Sequence, residues 1–545
     1  MSFVEKIKSM RGYLRRKIES KTPDLESLGF EIHEPKRLVV LPEEENSKNI
    51  NLEYPLLEPY TYAHIKWSKM NDELIYRVRE PDLREDEKEM YEKITEGLLE
   101  LVDIELSSLK KPGKAMDYVE GKVKRIIDEL NLGMNKTQFN KIMYHIYRNF
   151  VGLEKIEPFL HDPYIEDIGC DGIGTPVYVV HKKFGSVKTN IVFEDEDKLK
   201  DFVVKLAERC GRYVSYAEPL FDGSLPDGSR VQASLAEDVT TKGPTFSIRK
   251  FTKEPYSPTD IIDLGTASPK LLAYIWFCVE NGISGLVCGG VATGKTTLLN
   301  AISLFIPSQS KIVSIEDTRE LNLPHENWIP AVVRLGFGMP TASGKKYGEV
   351  DMFELLKESF RQNPDYVIVG EVRGEEAYVM FQGMASGHPC LGTMHAGGVE
   401  TVIRRLESPP IELSPALVET LDVVITMVHA KEKGESERRV QKVTEIVNVE
   451  SGTGEAETNS VFSWHPSEDE FKRGPGNQTL REIAETKGIT MQTIEEEIEK
   501  RIKVLRWMKN NNKKDWREVS KVIDEYKTDP ESVLERVEED IEGDS

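Results

Sequence analysis

The sequence predicts an α/β protein whose larger core is a mostly parallel sheet covered by helices, preceded by a smaller α/β domain and an N-terminal extension. Three observations predict it. Beyond Asp260, short apolar runs alternate with helical patterns and turn signals, the order that builds strand–helix units. Gly289-Gly290-Val291-Ala292-Thr293-Gly294-Lys295-Thr296 has the spacing G-x-x-x-x-G-K-[ST] and lies between an apolar strand and an apolar helix. The 545 residues, 39% hydrophobic and 30% charged, suit about three to four folded domains.

Taken in order, residues 1–115 read as an extension for partner or membrane contact. Within 1–21, Lys6, Lys8, Arg11, Arg15, Arg16 and Lys17 fall among Phe3, Val4, Ile7, Met10, Tyr13, Leu14 and Ile18. That pattern is a basic amphipathic helix, suited to an anionic membrane or to packing on its own domain. Runs at 60–67 and 74–78 are strand-like, 86–102 is a charged helix, and Lys110-Lys111-Pro112-Gly113 forms a joint. Residues 116–257 read as the smaller α/β domain, with helices at 118–130 and 136–150 and strands at 177–180 and 189–193.

The core spans 258–450. Its expected elements are strand 286–288, helix 295–305, strand 312–315, helix 352–361, strand 366–369, helix 375–386 and strand 390–394. Strands at 439–449 and 458–464 pair around Ser451-Gly452-Thr453-Gly454 where the core gives way to a C-terminal extension, 451–545, and two helices, 490–510 and 516–526, close the chain. Acidic residues crowd the end, at Glu535, Glu538, Glu539, Asp540, Glu542 and Asp544, and read as a solvated tail.

Net charge of -22 argues against nonspecific nucleic-acid binding, which requires Lys and Arg to neutralise phosphates. Cys170, Cys210, Cys278, Cys288 and Cys390 are scattered without a C-x-x-C pair, as in a reducing compartment. No run approaches the roughly 20 apolar residues that span a bilayer. The reading is a cytoplasmic chain.

The chemistry centres on the glycine-rich loop. Gly289, Gly290, Val291, Ala292, Thr293 and Gly294 let backbone N–H groups face phosphate oxygens, and the helix start adds its positive dipole end. Lys295 reaches the β and γ phosphates, Thr296 offers its hydroxyl to Mg²⁺, and Thr297 lies on the α-phosphate side. Turnover of ATP also needs acids that orient metal and water. The strand at 311–315 ends in Glu316-Asp317 and that at 366–369 in Gly370-Glu371. Gly370 stands where an Asp commonly precedes this Glu, so Glu371 is expected to act through water, with Glu316 sharing the task.

These boxes resemble those of the secretion-superfamily ATPases. The loop matches their Walker A box, Ile315-Glu316-Asp317-Thr318 their Asp box, Val369-Gly370-Glu371-Val372-Arg373 their Walker B box, and Gly387-His388 through Thr393-Met394-His395 their His box. The likeness extends to Asp162-Pro163-Tyr164-Ile165-Glu166-Asp167-Ile168, Leu323-Pro324-His325-Glu326-Asn327-Trp328 and Val461-Phe462-Ser463-Trp464. It is similar to the archaeal branch, because the C-x-x-C zinc motifs of bacterial pilus motors are lacking.

The resemblance implies a RecA-like core in a hexameric ring that hydrolyses ATP with Mg²⁺ and binds no zinc. It implies work at the inner face of the cell membrane on a polytopic platform protein, to assemble or rotate a type IV pilus-like filament, with the archaellum favoured. It assigns Arg230 and Arg249 as interdomain catalytic arginines, and Arg373, Arg405, His388 and His395 to coupling or phosphate sensing. Two alternatives remain: a type IV secretion-type transfer ATPase, and an ATP-binding regulatory scaffold with little turnover.

Overall fold

A computed structural model describes residues 28–35, 39, 41, 47–101, 112–336, 345–432, 435–450 and 456–543. The chain divides into two units, Met1–Phe251 and Thr252–Ser545. The basic pattern at 1–21, the Lys110-Lys111 part of the joint and the Ser451–Gly454 turn lie outside the described residues.

The first unit is built on one nine-stranded sheet. Its strands are β1 (Asn51–Leu57), β2 (Thr61–Ser68), β3 (Glu73–Arg79), β4 (Ile165–Cys170), β5 (Pro176–His181), β6 (Gly185–Val192), β7 (Leu220–Ser224), β8 (Arg230–Ser234) and β9 (Thr245–Arg249), in the order β1-β2-β3-β6-β5-β4-β9-β8-β7. Only β3 and β6 pair in parallel. Strands from the expected extension and from the expected α/β domain therefore share one ladder. The helices Glu85–Leu101, Pro112–Leu130 and Lys136–Ile146 enclose a separate apolar cluster that includes Ile94, Leu98, Val119, Val123 and Phe139.

The second unit carries β10 (Gly285–Gly289), β11 (Ile312–Glu316), β12 (Trp328–Val332), β13 (Tyr366–Val372), β14 (Cys390–Met394), β15 (Val423–Glu432), β16 (Glu435–Val449), β17 (Ala456–His465) and β18 (Glu470–Arg473). They run in the order β12-β11-β13-β14-β10-β15-β16-β17-β18. From β12 to β15 the pairing is parallel and from β15 to β18 antiparallel, so the expected RecA-like core continues into the strands assigned to the C-terminal segment.

Parallel strands buried on both faces read as continuous apolar runs, and here they feed two cores with a period of two. Val287, Ile312, Ile368, Leu391 and Ile425 face one cluster with the helices Pro269–Glu280 and Met491–Asn510. Leu286, Cys288, Val313, Val367, Val369 and Val424 face the other, with Met352–Ser359, Glu376–Ala385 and Val399–Glu407. This packing fixes the carboxyl ends of β10, β11, β13 and β14 along one edge of the sheet.

Two expectations for the C-terminus are corrected. Four helices close the chain rather than two: Gln478–Lys487, Met491–Asn510, Trp516–Thr528 and Pro530–Gly543. The acidic end is a packed helix rather than a tail, since Val533 and Val537 are buried and Trp507 Nε1 donates to Asp540 Oδ2 at 2.7 Å, while Glu535, Glu538, Glu539 and Asp540 are solvated as expected and Asp544 lies outside the described residues.

Candidate active site

The loop after β10 has the backbone of an anion cradle. Ala292 (φ 58°) and Gly294 (φ 87°) are left-handed two positions apart, the alternation that turns successive N–H groups into one concavity. Gly289 is needed for close approach, since a Cβ there would lie 2.6 Å from Thr293 Oγ1 and 2.8 Å from Met427 O. The helix Lys295–Ser303 starts at Gly294 without a side-chain cap, so its first N–H groups are left for a ligand.

Lys295 Nζ donates to Gly290 O at 2.9 Å and lies 3.5 Å from His395 Nδ1. Burial lowers the pKa of this ammonium, while Glu371 acts to keep it charged. His395 Nε2 is 3.4 Å from Glu371 Oε1, Arg373 donates to the other oxygen of that carboxylate, and Arg373 Nη1 is 3.3 Å from Asp317 Oδ2. Burial pushes the Glu371 carboxyl up, but Arg373, His395 and Lys295 together hold it below its ordinary value.

Glu371 owes its position to an irregularity. The β13–β14 register shifts between Val369 and Val372, and Thr393 Oγ1 donates to Gly370 O at 2.6 Å, satisfying the freed carbonyl. Such bulges re-aim side chains and occur beside active sites.

Glu316, at the end of β11, is 2% exposed. Its Oε1 accepts the N–H groups of Glu320 (2.9 Å) and Leu321 (3.0 Å), while Oε2 is buried with no hydrogen-bond partner. Burial raises its pKa to about 7, against the lowering effect of those two N–H groups. The site thus holds one ionised carboxylate, Glu371, and one poised near neutrality.

A magnesium ion is typically held by one or two carboxylates, water and substrate phosphates rather than by a protein cage. The Thr296 hydroxyl and the ionised Glu371 carboxylate fit that donor set. Among the described residues no group of three or more His, Cys, Asp or Glu forms a metal cage.

The other expected residues lie on other elements. His388 precedes β14, at the end opposite His395, and its ring lies edge-on to Phe360 at 5.2 Å. Arg405 is exposed on the helix Val399–Glu407. Arg230 and Arg249 belong to the first unit, where they sit directly opposite each other on β8 and β9. Like charges so placed repel. Each has its own acid: Arg230 grips Asp222 through Nε (3.2 Å) and Nη2 (2.5 Å), and Arg249 Nε donates to Asp167 at 3.1 Å.

Sequence reasoning missed Thr393, Asp317 as a partner of Arg373, and two residues that touch the loop. His429 Nε2 donates to Ala292 O at 2.9 Å and Arg438 Nε to the same oxygen at 3.1 Å. Both come from the hairpin β15–β16, which carries no phosphate-binding motif. Their only signal is a cross-strand pairing that has to be seen in the structure.

Residues 154–533 match the model of the type II/IV secretion system protein family. The uncharacterized protein MJ0900 of Methanocaldococcus jannaschii is 38% identical over 77% of this chain and 78% of its own length. The type IV secretion system protein PtlH of Bordetella pertussis is 32% identical over 45% of this chain and 80% of its own. Low-scoring structural likenesses include the VirB11 ATPase of the Brucella suis type IV secretion system, at 22% identity, 53% of this chain, 91% of that one and a TM-score of 0.27. Another is the Yersinia pseudotuberculosis ATPase DotB, at 15% identity, 72% and 94% coverage and a TM-score of 0.38. On the family match over most of its length, this chain belongs to the type II/IV secretion system protein family.

Proposed function

We propose that this chain hydrolyses ATP as one subunit of a hexameric motor that drives assembly of a type IV pilus-like filament, the archaellum favoured, at the cytoplasmic face of a membrane. One observation carries the reading. The phosphate loop with Lys295, the buried Glu316 and the arginine-held Glu371 lie at the carboxyl ends of β10, β11 and β13, along one edge of the sheet. Ligands in open α/β sheets bind at that edge.

In this reading Gly289 to Thr297 cradle the triphosphate, Lys295 pairs with its outer phosphates, and Thr296 and Glu371 would hold the metal, the latter through water. Mg²⁺, when bound, supplies charge neutralisation on the phosphate oxygens. Glu316 receives a proton from the attacking water, for which a pKa near 7 is well matched. His395 links Lys295 to Glu371 and so is the proposed phosphate sensor. Arg230 and Arg249 are proposed as donors to the transferring phosphate. His388 and Arg405 are proposed for coupling to neighbouring subunits.

A second reading, a transfer ATPase of type IV secretion, is supported by the likeness to PtlH. Replacing the chromosomal copy by Lys295→Ala and imaging the cells tests the proposal. Loss of surface filaments is expected; intact filaments with a lost secreted or transferred cargo would favour the second reading, and no change in either would overturn both.

A further inference from the structure

We propose that His429 and Arg438 are positioning residues that clamp the Ala292 carbonyl and so hold the phosphate loop in its anion-binding shape. The inference rests on the nucleotide-site reading above and assigns that site two residues from a hairpin outside every box.

Ala292 is left-handed, a conformation in which its own Cβ crowds a carbonyl oxygen. Nothing in an alanine side chain compensates. The peptide that follows it must keep its oxygen outward, because rotating it would aim a carbonyl oxygen into the concavity that phosphate has to enter. Two donors meet that oxygen, at 2.9 Å from His429 and 3.1 Å from Arg438. A carbonyl only accepts, so Nε2 of His429 carries the hydrogen.

The donors are themselves fixed. His429 and Arg438 are direct partners across β15 and β16. β15 lies beside β10, the strand that launches the loop, in parallel register from Gly285 with Val423 to Gly289 with Met427. Arg438 also lies beside the second left-handed position, since a Cβ on Gly294 would stand 3.2 Å from its Cδ. One hairpin thereby lies against both left-handed residues of the cradle.

The test uses the full-length protein and measures displacement of a fluorescent ATP analogue by ATP and by inorganic tripolyphosphate, with thermal unfolding alongside. The variants are His429→Leu with Arg438→Leu, which removes both donors, and His429→Gln with Arg438→Lys, which keeps them. Losing two hydrogen bonds to one carbonyl is expected to weaken ATP and tripolyphosphate alike by about tenfold. The donor-keeping pair is expected to stay within about threefold of the wild type, with similar unfolding midpoints throughout.

Three results would overturn the clamp: unchanged affinity in the leucine pair, a loss for ATP without one for tripolyphosphate, or an equal loss in the donor-keeping pair. A wild type that binds ATP but releases no phosphate would defeat the ATPase reading while leaving the affinity comparison to decide the clamp. A wild type that binds neither compound would overturn both.

Discussion

A Cβ at position 370 would stand 3.0 Å from Cγ of Glu316, so the side chain that Gly370 lacks is the space that Glu316 fills. Glu316 ends β11, and Gly370 lies two residues before the end of the neighbouring β13, in a register that pairs Ile315 with Val369. The glycine leaves room at the end of β11 for the Glu316 side chain.

Gly370→Asp therefore does not repair the motif. It brings a carboxylate against Glu316 in a packed strand end, where overpacking alone typically costs 1–3 kcal/mol and like charge adds to it. The expected outcome is a lower unfolding midpoint and at least a hundredfold loss of phosphate release. An active, fully stable Gly370→Asp protein would contradict this arrangement.

Glu316 predicts a pH dependence of both stability and rate. Its folded pKa, about 7, lies above the ordinary Glu value, so the folded chain holds a proton that the unfolded chain releases across that interval. Its stability contribution is complete below about pH 4.5 and is lost as pH rises through about 7. Glu316→Gln should flatten that part of the unfolding curve while cutting turnover by about 10² to 10⁴, the usual range for a general base. In the wild type, kcat/KM should rise with pH through about 7. A flat profile there would remove Glu316 as the base.

Arg373 holds Glu371 below its ordinary pKa. In Arg373→Gln, His395 and Lys295 remain to oppose the burial that raises this carboxyl. The loss of activity should thus come from misorientation and be the same at every pH above neutrality. A loss that disappears at high pH would show that the arginine acts on charge state.

Beneath the core sheet, Arg501 is 5% exposed and joins Glu280 (2.7 Å) and Glu497 (2.8 Å), with its guanidinium 5.0 to 5.4 Å from the ring centroids of Trp276, Phe277 and Tyr526. Arg501→Ala strands a partly buried Glu280 and should cost about 3–5 kcal/mol by chemical denaturation. A cost below about 1 kcal/mol would mean that solvent reaches the pair.

What the sequence made legible was whatever local pattern encodes. The loop from Gly289 to Thr297, the strand ending in Glu316 and the strand Cys390–Met394 lie where spacing and apolar runs put them, because buried parallel strands and a glycine-rich turn are local signals. The pairing of β3 with β6, the bulge at Gly370-Glu371 and the grip of His429 and Arg438 on Ala292 depend on contacts between distant segments. The last helix reads as a tail in sequence because its acids outnumber the two valines that bury. Both histidines of the His box match equally as text, yet one strand separates His388 from the end where His395 meets Lys295.

The central claim is that ATP is cleaved at Lys295, Glu316 and Glu371. Its most direct test is steady-state phosphate release with Mg·ATP, run beside nucleotide binding, for the wild type and Glu371→Gln. The account predicts continuous magnesium-dependent release by the wild type and retained binding with at least a hundredfold slower release by Glu371→Gln. Wild-type binding without release, or a Glu371→Gln protein as fast as the wild type, would contradict it.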